Sequence, residues 1–237
     1  MNRGKLFIVA TPIGNLGDIS YRAVETLKLV DFILCEDTRV TKILLDHFEV
    51  RKQFVVVNAH NEPKIIEKVF ERLENGESCA LVSDAGTPCI SDPGVRLVNK
   101  FIEYGIEIVG IPGANAAIMA LSISGLPTDS FVFEGFLPQK KGRQKKLKQL
   151  AVEERTIVLY ESTYRIKKLI EELNEYMPER QIVVSRELTK KFEENWRGKP
   201  EEILTDFDKK IIKGEFVVTI APLSWKERQS ENHSEPY

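Results

Sequence analysis

Along the first half of the chain, short apolar runs alternate with segments whose apolar residues recur at helical spacing. Leu6–Ala10, Phe32–Cys35, Gln53–Val57, Cys79–Val82 and Glu107–Gly110 read as strands. Tyr21–Val30, Thr38–His47, Lys64–Glu74 and Gly94–Tyr104 fall between them and read as helices, and Asn115–Leu121 is a fifth. In Lys64–Glu74 the apolar residues Ile65, Ile66, Val69, Phe70 and Leu73 mark one face. Strand and helix in strict alternation predict a mostly parallel sheet covered on both faces.

The punctuation changes at Ser124-Gly125-Leu126-Pro127-Thr128-Asp129, a breaker cluster suited to a linker. Beyond it the pattern predicts strands at Phe131–Phe136, Thr156–Tyr160, Gln181–Ser185 and Glu215–Ala221. Helices are expected at Arg143–Leu150, Ile166–Tyr176 and Pro200–Phe207. Strands are denser here relative to helices, which predicts a mixed sheet. The expected fold class is therefore α/β with two α/β domains, 1–124 and 131–223. Residues 125–130 form the linker and 224–237 a polar tail without periodicity.

Composition narrows this picture only a little. A chain of 237 residues, 42% hydrophobic and 30% charged, has the make-up of a soluble globular protein. Its longest apolar runs, such as Phe216–Pro222, are too short to span a bilayer. The start leads straight into a strand rather than a secretory signal. Cys35, Cys79 and Cys89 form neither a metal spacing nor an even disulfide framework, so Cys35 and Cys79, in apolar runs, are expected to be buried thiols and the location cytoplasmic.

A net charge of −2 argues against a generally basic nucleic-acid binder. The charge is uneven, however: six basic residues and no acidic one lie between Lys140 and Lys148. By form such a run is more commonly a solvated helix face than a mobile phosphate-binding arm.

Candidate chemistry gathers at strand ends. Ser83-Asp84-Ala85-Gly86-Thr87-Pro88-Cys89-Ile90-Ser91-Asp92-Pro93-Gly94 continues neither strand nor helix, and predicts a shaped polar loop where open α/β sheets hold ligands. Thr11–Asp18 has a G-x-x-G turn, not a dinucleotide fingerprint, and reads equally as a ligand loop or a plain connection. Glu36-Asp37-Thr38-Arg39 offers two carboxylates beside an arginine, although Asp37 or Thr38 capping the next helix is the simpler reading. Pro112–Ala117 is a small-residue turn into a helix, and reads equally as a site whose free N–H groups suit a carboxylate or as a tight helix–sheet contact. His60 stands without a second histidine or a cysteine to complete a metal site, so no metal is expected. The loops at 83–94 and 112–117 follow successive strands and converge on one crevice.

Taken together, Val9–Ile19, Glu36–Arg39, Ser83–Gly94, Ser124–Asp129, Glu134–Pro138 and Glu187–Glu194 resemble the ribosomal RNA small subunit methyltransferase I family, within the tetrapyrrole methylase superfamily. The resemblance covers nearly everything from Gly4 to Ala221. It implies two α/β domains with S-adenosylmethionine in the cleft between them, and a homodimer. It also implies 2′-O-methylation of the ribose of cytidine 1402 in 16S rRNA, within the 30S subunit.

By position, Pro12, Asp84, Ala85, Gly86, Thr87, Asn115 and Ala116 are expected to line the cofactor site, with Tyr160 and Glu161 near the adenosine. Asp37 becomes the candidate base, and Arg39 and Lys190 candidates for orienting a phosphate. Lys140, Lys141, Arg143 and Lys145 become an RNA clamp. Departures from the family pattern fall at Asn58-Ala59, Ala114-Asn115 and Thr163-Tyr164. The rival readings are a methyltransferase acting on a tetrapyrrole or another small molecule, and a non-catalytic RNA-binding protein of ribosome assembly.

Overall fold

The computed structural model describes residues 3–58 and 61–225. The expectations for Ala59, His60 and most of the tail lie outside the described residues. The chain divides into two compact units, residues 1–119 with 188–191, and residues 120–187 with 192–237.

In the first unit, β1 (Lys5–Val9), β2 (Phe32–Cys35), β3 (Gln53–Val56), β4 (Cys79–Leu81) and β5 (Glu107–Ile111) alternate with helices. These are α1 (Tyr21–Leu29), α2 (Thr38–His47), α3 (Glu62–Glu74) and α4 (Val95–Glu103), and α5 (Ala116–Ser124) follows the last strand. The five strands are all parallel, in the order β3-β2-β4-β1-β5.

Side chains alternate across a strand, so each strand feeds two cores. Leu6, Phe32, Leu34, Cys79 and Leu81 pack with Ile66, Val69, Leu97 and Phe101 of α3 and α4. Val9, Ile33, Cys35, Ala80 and Val82 pack with Ala23, Leu27 and Leu45 of α1 and α2 on the other face. Polar side chains then fix the helix starts. Ser20 Oγ accepts from the Ala23 N–H at 3.1 Å, and the buried Glu62 of α3 accepts from the Leu97 N–H of α4 at 2.9 Å.

This arrangement has a consequence for ligands. Strands β4 and β1 are neighbours, yet the chain leaves β1 toward α1 on one face and β4 toward α4 on the other. Such a divergence opens a crevice at the carboxyl edge of a parallel sheet.

The second unit contains β6 (Phe131–Phe136), α6 (Arg143–Ala151), β7 (Thr156–Ser162), α7 (Ile166–Tyr176), β8 (Ile182–Arg186), β9 (Glu194–Gly198), α8 (Pro200–Thr205) and β10 (Glu215–Ile220). Its order is β6-β7-β10-β8-β9, and only β6 and β7 run parallel, so the sheet is mixed as expected. Strand β9 escapes the hydrophobic pattern because it is an edge strand in which only Trp196 is buried. The division of the chain also differs from expectation. It falls inside α5 rather than at the 125–130 breaker cluster, and residues 188–191 return to the first unit.

Two expected contact residues turn out to face inward. Arg143 is 4% exposed and its guanidinium grips Glu172 of α7, with Nε 2.8 Å and Nη2 2.6 Å from Oε2. Its Nη1 donates to the Pro138 carbonyl at 3.1 Å, and its Nη2 lies 3.7 Å from Glu161. Arg143 therefore does not face solvent, where an RNA contact was expected. It sits at i, i+4, i+7 spacing with buried Leu147 and Leu150, so helical periodicity carries this one cation of the basic run into the interior.

Glu161 is buried too. Its Oε1 accepts from Arg165 Nε at 2.8 Å and from the Ser162 N–H at 2.8 Å, while its buried Oε2 accepts no hydrogen bond among the described residues. Removing one partner of a buried, hydrogen-bonded ion pair leaves an uncompensated charge. Arg143→Ala is expected to lower stability by about 3–5 kcal/mol in urea unfolding. Exposed Lys145→Ala should stay within about 0.5 kcal/mol of the parent. Equal, small losses for both would contradict the interior role of Arg143.

Candidate active site

The loops after β1, β4 and β5 are stitched together by backbone and hydroxyl groups. Thr11 and Gly86 exchange backbone hydrogen bonds, at 2.9 Å from the Thr11 N–H and 3.1 Å from the Gly86 N–H. Thr11 Oγ1 donates to the Ser83 carbonyl at 3.1 Å, and Thr87 Oγ1 to the Ala114 carbonyl at 3.0 Å. Gly86 adopts φ +82°, and a Cβ there would stand 3.2 Å from Ile13 Cγ2, so the tight fit requires glycine. Pro12, Asp84, Ala85, Gly86, Thr87, Asn115 and Ala116 thus belong to one connected loop cluster.

Residues 188–191 add a further piece. A Cβ on Gly14 would lie 2.3 Å from Lys190 Cγ and 3.1 Å from the Leu188 carbonyl, so the close approach of this segment accounts for glycine at position 14. Lys190 is brought beside the β1 loop in this way, a proximity that charge spacing alone did not reveal.

The start of α5 is less open than expected. Asn115 Oδ1 accepts from the Ala117 and Ile118 N–H groups at 3.1 and 3.2 Å, so the side chain itself satisfies two of the donors foreseen for a carboxylate.

Carboxylates crowd the ends of β2 and β4. The Asp37 N–H donates to Asp84 Oδ1 at 3.2 Å. Asp37 in turn caps α2, accepting from the Arg39 N–H at 2.8 Å, and its two oxygens take Arg39 Nε at 3.0 Å and Nη2 at 2.5 Å. The Arg39 side chain first, then its backbone N–H, hold the Asp37 carboxyl down to about 2. A carboxylate so tightly held is a poor proton acceptor, which argues against Asp37 as base. The simple capping reading holds. Arg39 spends part of its charge on Asp37 while remaining 87% exposed.

Glu36, one residue earlier, has the opposite environment. Its Oε1 is buried and accepts no hydrogen bond among the described residues. Burial first, then the charges of Asp92 and Asp84, raise its carboxyl from an ordinary 4.5 to about 7. Burial also raises Asp84 and Asp92. The available signal in the sequence was its position, directly after the fully buried strand Phe32–Cys35, where desolvation is strongest.

Tyr160, Lys140, Lys141 and Lys145 belong to the second unit. Tyr160 is half-buried with its ring centroid 5.0 Å from Phe133 and 5.7 Å from Phe136, while the three lysines are exposed.

The sequence profile of the tetrapyrrole (corrin/porphyrin) methylases matches residues 5–204. A Synechocystis protein named ribosomal RNA small subunit methyltransferase I is 48% identical over 96% of this chain and 82% of its own length. Its Thermotoga maritima namesake is 44% identical over 92% and 98%. The chain belongs to the ribosomal RNA small subunit methyltransferase I family. Solved structures share the fold at low identity. Cobalt precorrin-4 methyltransferase has a TM-score of 0.69 at 17% identity, covering 92% of this chain and 94% of its own. Uroporphyrin-III C-methyltransferase from Thermus thermophilus, complexed with S-adenosyl homocysteine, has a TM-score of 0.65 at 16% identity, covering 92% and 97%.

The loop cluster fits the cofactor implied by this methyltransferase family. S-adenosylmethionine carries a sulfonium and an ammonium, and Glu36, Asp84 and Asp92 repel one another in a poorly solvated corner that a cation would relieve. The residues that would hold it are those of the stitched loops, Pro12, Asp84–Thr87, Asn115 and Ala116.

A carboxyl whose pKa is raised by folding makes the folded state bind more protons than the unfolded one. Its stability contribution is therefore greatest below about 4.5 and declines until about 7. Glu36→Gln removes this decline. The melting temperature of the variant relative to the parent should rise between pH 5 and pH 8. A constant difference across that range would show that Glu36 titrates normally.

Proposed function

We propose that this protein transfers a methyl group from S-adenosylmethionine to the ribose 2′-hydroxyl of cytidine 1402 in 16S rRNA, with Glu36 as the base. The observation that carries the reading is a raised carboxyl at the edge of the stitched loops, with a buried Oε1 that has no hydrogen-bond partner among the described residues, in a chain 43–50% identical to proteins named ribosomal RNA small subunit methyltransferase I. The substrate is taken to be rRNA within the 30S subunit, acted on by a homodimer in the cytoplasm.

When bound, S-adenosylmethionine supplies a methyl group already activated by positively charged sulfur. The protein's task is then alignment and management of one proton. Glu36 Oε1 accepts the proton of the 2′-hydroxyl as the oxygen becomes a nucleophile, and a pKa of about 7 leaves enough carboxylate at neutral pH for that role. Asp37 holds Arg39 at the mouth of the same loops, where an exposed guanidinium suits an RNA phosphate. Lys190, against Gly14, offers a second cation there. The exposed Lys140, Lys141 and Lys145 supply phosphate contacts that carry no sequence information.

Labelled methyl should pass from S-adenosylmethionine to 30S subunits purified from cells lacking this protein, at the proposed ribose. Transfer to a tetrapyrrole and not to RNA would favour the rival small-molecule reading. Failure to bind the cofactor in calorimetry would favour the non-catalytic one. Glu36→Gln should lower kcat by about 10²-fold or more, a larger loss than any change in cofactor affinity. Asp37→Asn should cost less than Glu36→Gln, and the reverse order would return the base to Asp37.

A further inference from the structure

In the second unit a cavity of about 450 Å³ opens between the end of β6 and the start of α6. That is within the roughly 300–1,000 Å³ of small-ligand pockets. Its lining combines Phe136, Leu137 and Pro138 with Glu134, Lys145, Lys146 and Gln149. Phe136 is 52% exposed, unusual for a phenylalanine that ends a sheet strand. Its ring is held from the side by Tyr160, with centroids 5.7 Å apart at 64°, and Arg165 lies 6.0 Å from its centroid.

The polar half of the lining is equally defined. Lys146 pairs with Glu134 at 2.6 Å and so offsets the acidic charge in the wall. Lys140, Lys141 and Lys145 are exposed, and none of them joins an ion pair among the described residues. Buried Arg143 anchors the rim by tying the Pro138 carbonyl to Glu172 of α7. An aromatic platform beside unpaired cations is the arrangement that recognises unpaired nucleotides: the ring stacks a base and the lysines take the flanking phosphates.

We propose that this cavity is a subsite for an unpaired base of the RNA, stacked on Phe136, with Glu134 and Gln149 facing its hydrogen-bonding edge and Lys145 its phosphate. The subsite rests on the reading of the substrate as RNA and adds a place where a nucleotide other than the methylated one is held. It also gives inward-facing Arg143 an indirect part in recognition, as a positioning residue for the rim.

The test uses the full chain and a short unstructured RNA carrying 2-aminopurine, whose fluorescence falls when it stacks on an aromatic ring. The parent should quench it on binding. Phe136→Leu should lose the quench and about tenfold or more in affinity, at an unchanged slope of affinity against salt. Phe136→Trp should restore both. Lys145→Ala should instead reduce the salt slope by about one. Melting temperature checks that each variant is folded, and quenching by the Trp variant keeps the test decisive if the Leu variant is not. Equal affinity and quench in parent and Leu variant, with methyl transfer to 30S subunits intact, overturns the subsite alone. No RNA binding by any form and no methyl transfer to 30S subunits overturns the substrate reading together with the subsite.

Discussion

Everything at the candidate active site depends on carboxylates set where a buried parallel sheet comes to its end. Strand β2 is fully buried over Phe32–Cys35, and its next residue is a glutamate. Water reaches that position poorly, and Asp84 and Asp92 press further negative charge upon it. Two adjacent carboxylates consequently have opposite characters. Asp37 gains Arg39 and a helix N-terminus and stays ionised, whereas Glu36 gains neither and holds its proton more tightly. Environments that push neighbouring pKa values apart are how one site separates a structural anion from a proton acceptor.

The loops that surround this corner owe their shape to one another as much as to any ligand. Thr11 and Gly86 form a small two-residue bridge, Thr87 reaches the loop after β5, and residues 188–191 lie against Gly14. Small residues and glycines in these loops are therefore required first by loop–loop packing. A cluster fixed in this way holds its polar groups in place before anything binds, which lowers the ordering cost of binding.

Much of this was legible in the sequence. The alternation of apolar runs gave the parallel sheet almost strand for strand, because a buried strand between two helical layers has no polar face to confuse the pattern. The density of strands after residue 131 likewise foretold the mixed sheet. Strand β9 was missed because an edge strand buries only Trp196 and looks like a polar loop. Charge spacing singled out Asp37 and passed over Glu36 because it does not report desolvation. The basic run held a similar ambiguity. Arg143 and Lys145 are two residues apart and chemically alike, yet helical geometry buries the first and exposes the second. Contacts between distant segments, such as Lys190 with Gly14, leave no local trace at all.

The most direct test of the account is the pH dependence of kcat/KM for S-adenosylmethionine in methyl transfer to 30S subunits, which reports the groups of the cofactor-free protein. With Glu36 as base, the rate should rise with pH and level off above an apparent pKa near 7. Glu36→Gln should be slow and lack that inflection. A profile in which the parent shows no inflection near 7, or in which Glu36→Gln retains both the inflection and the rate, would contradict it.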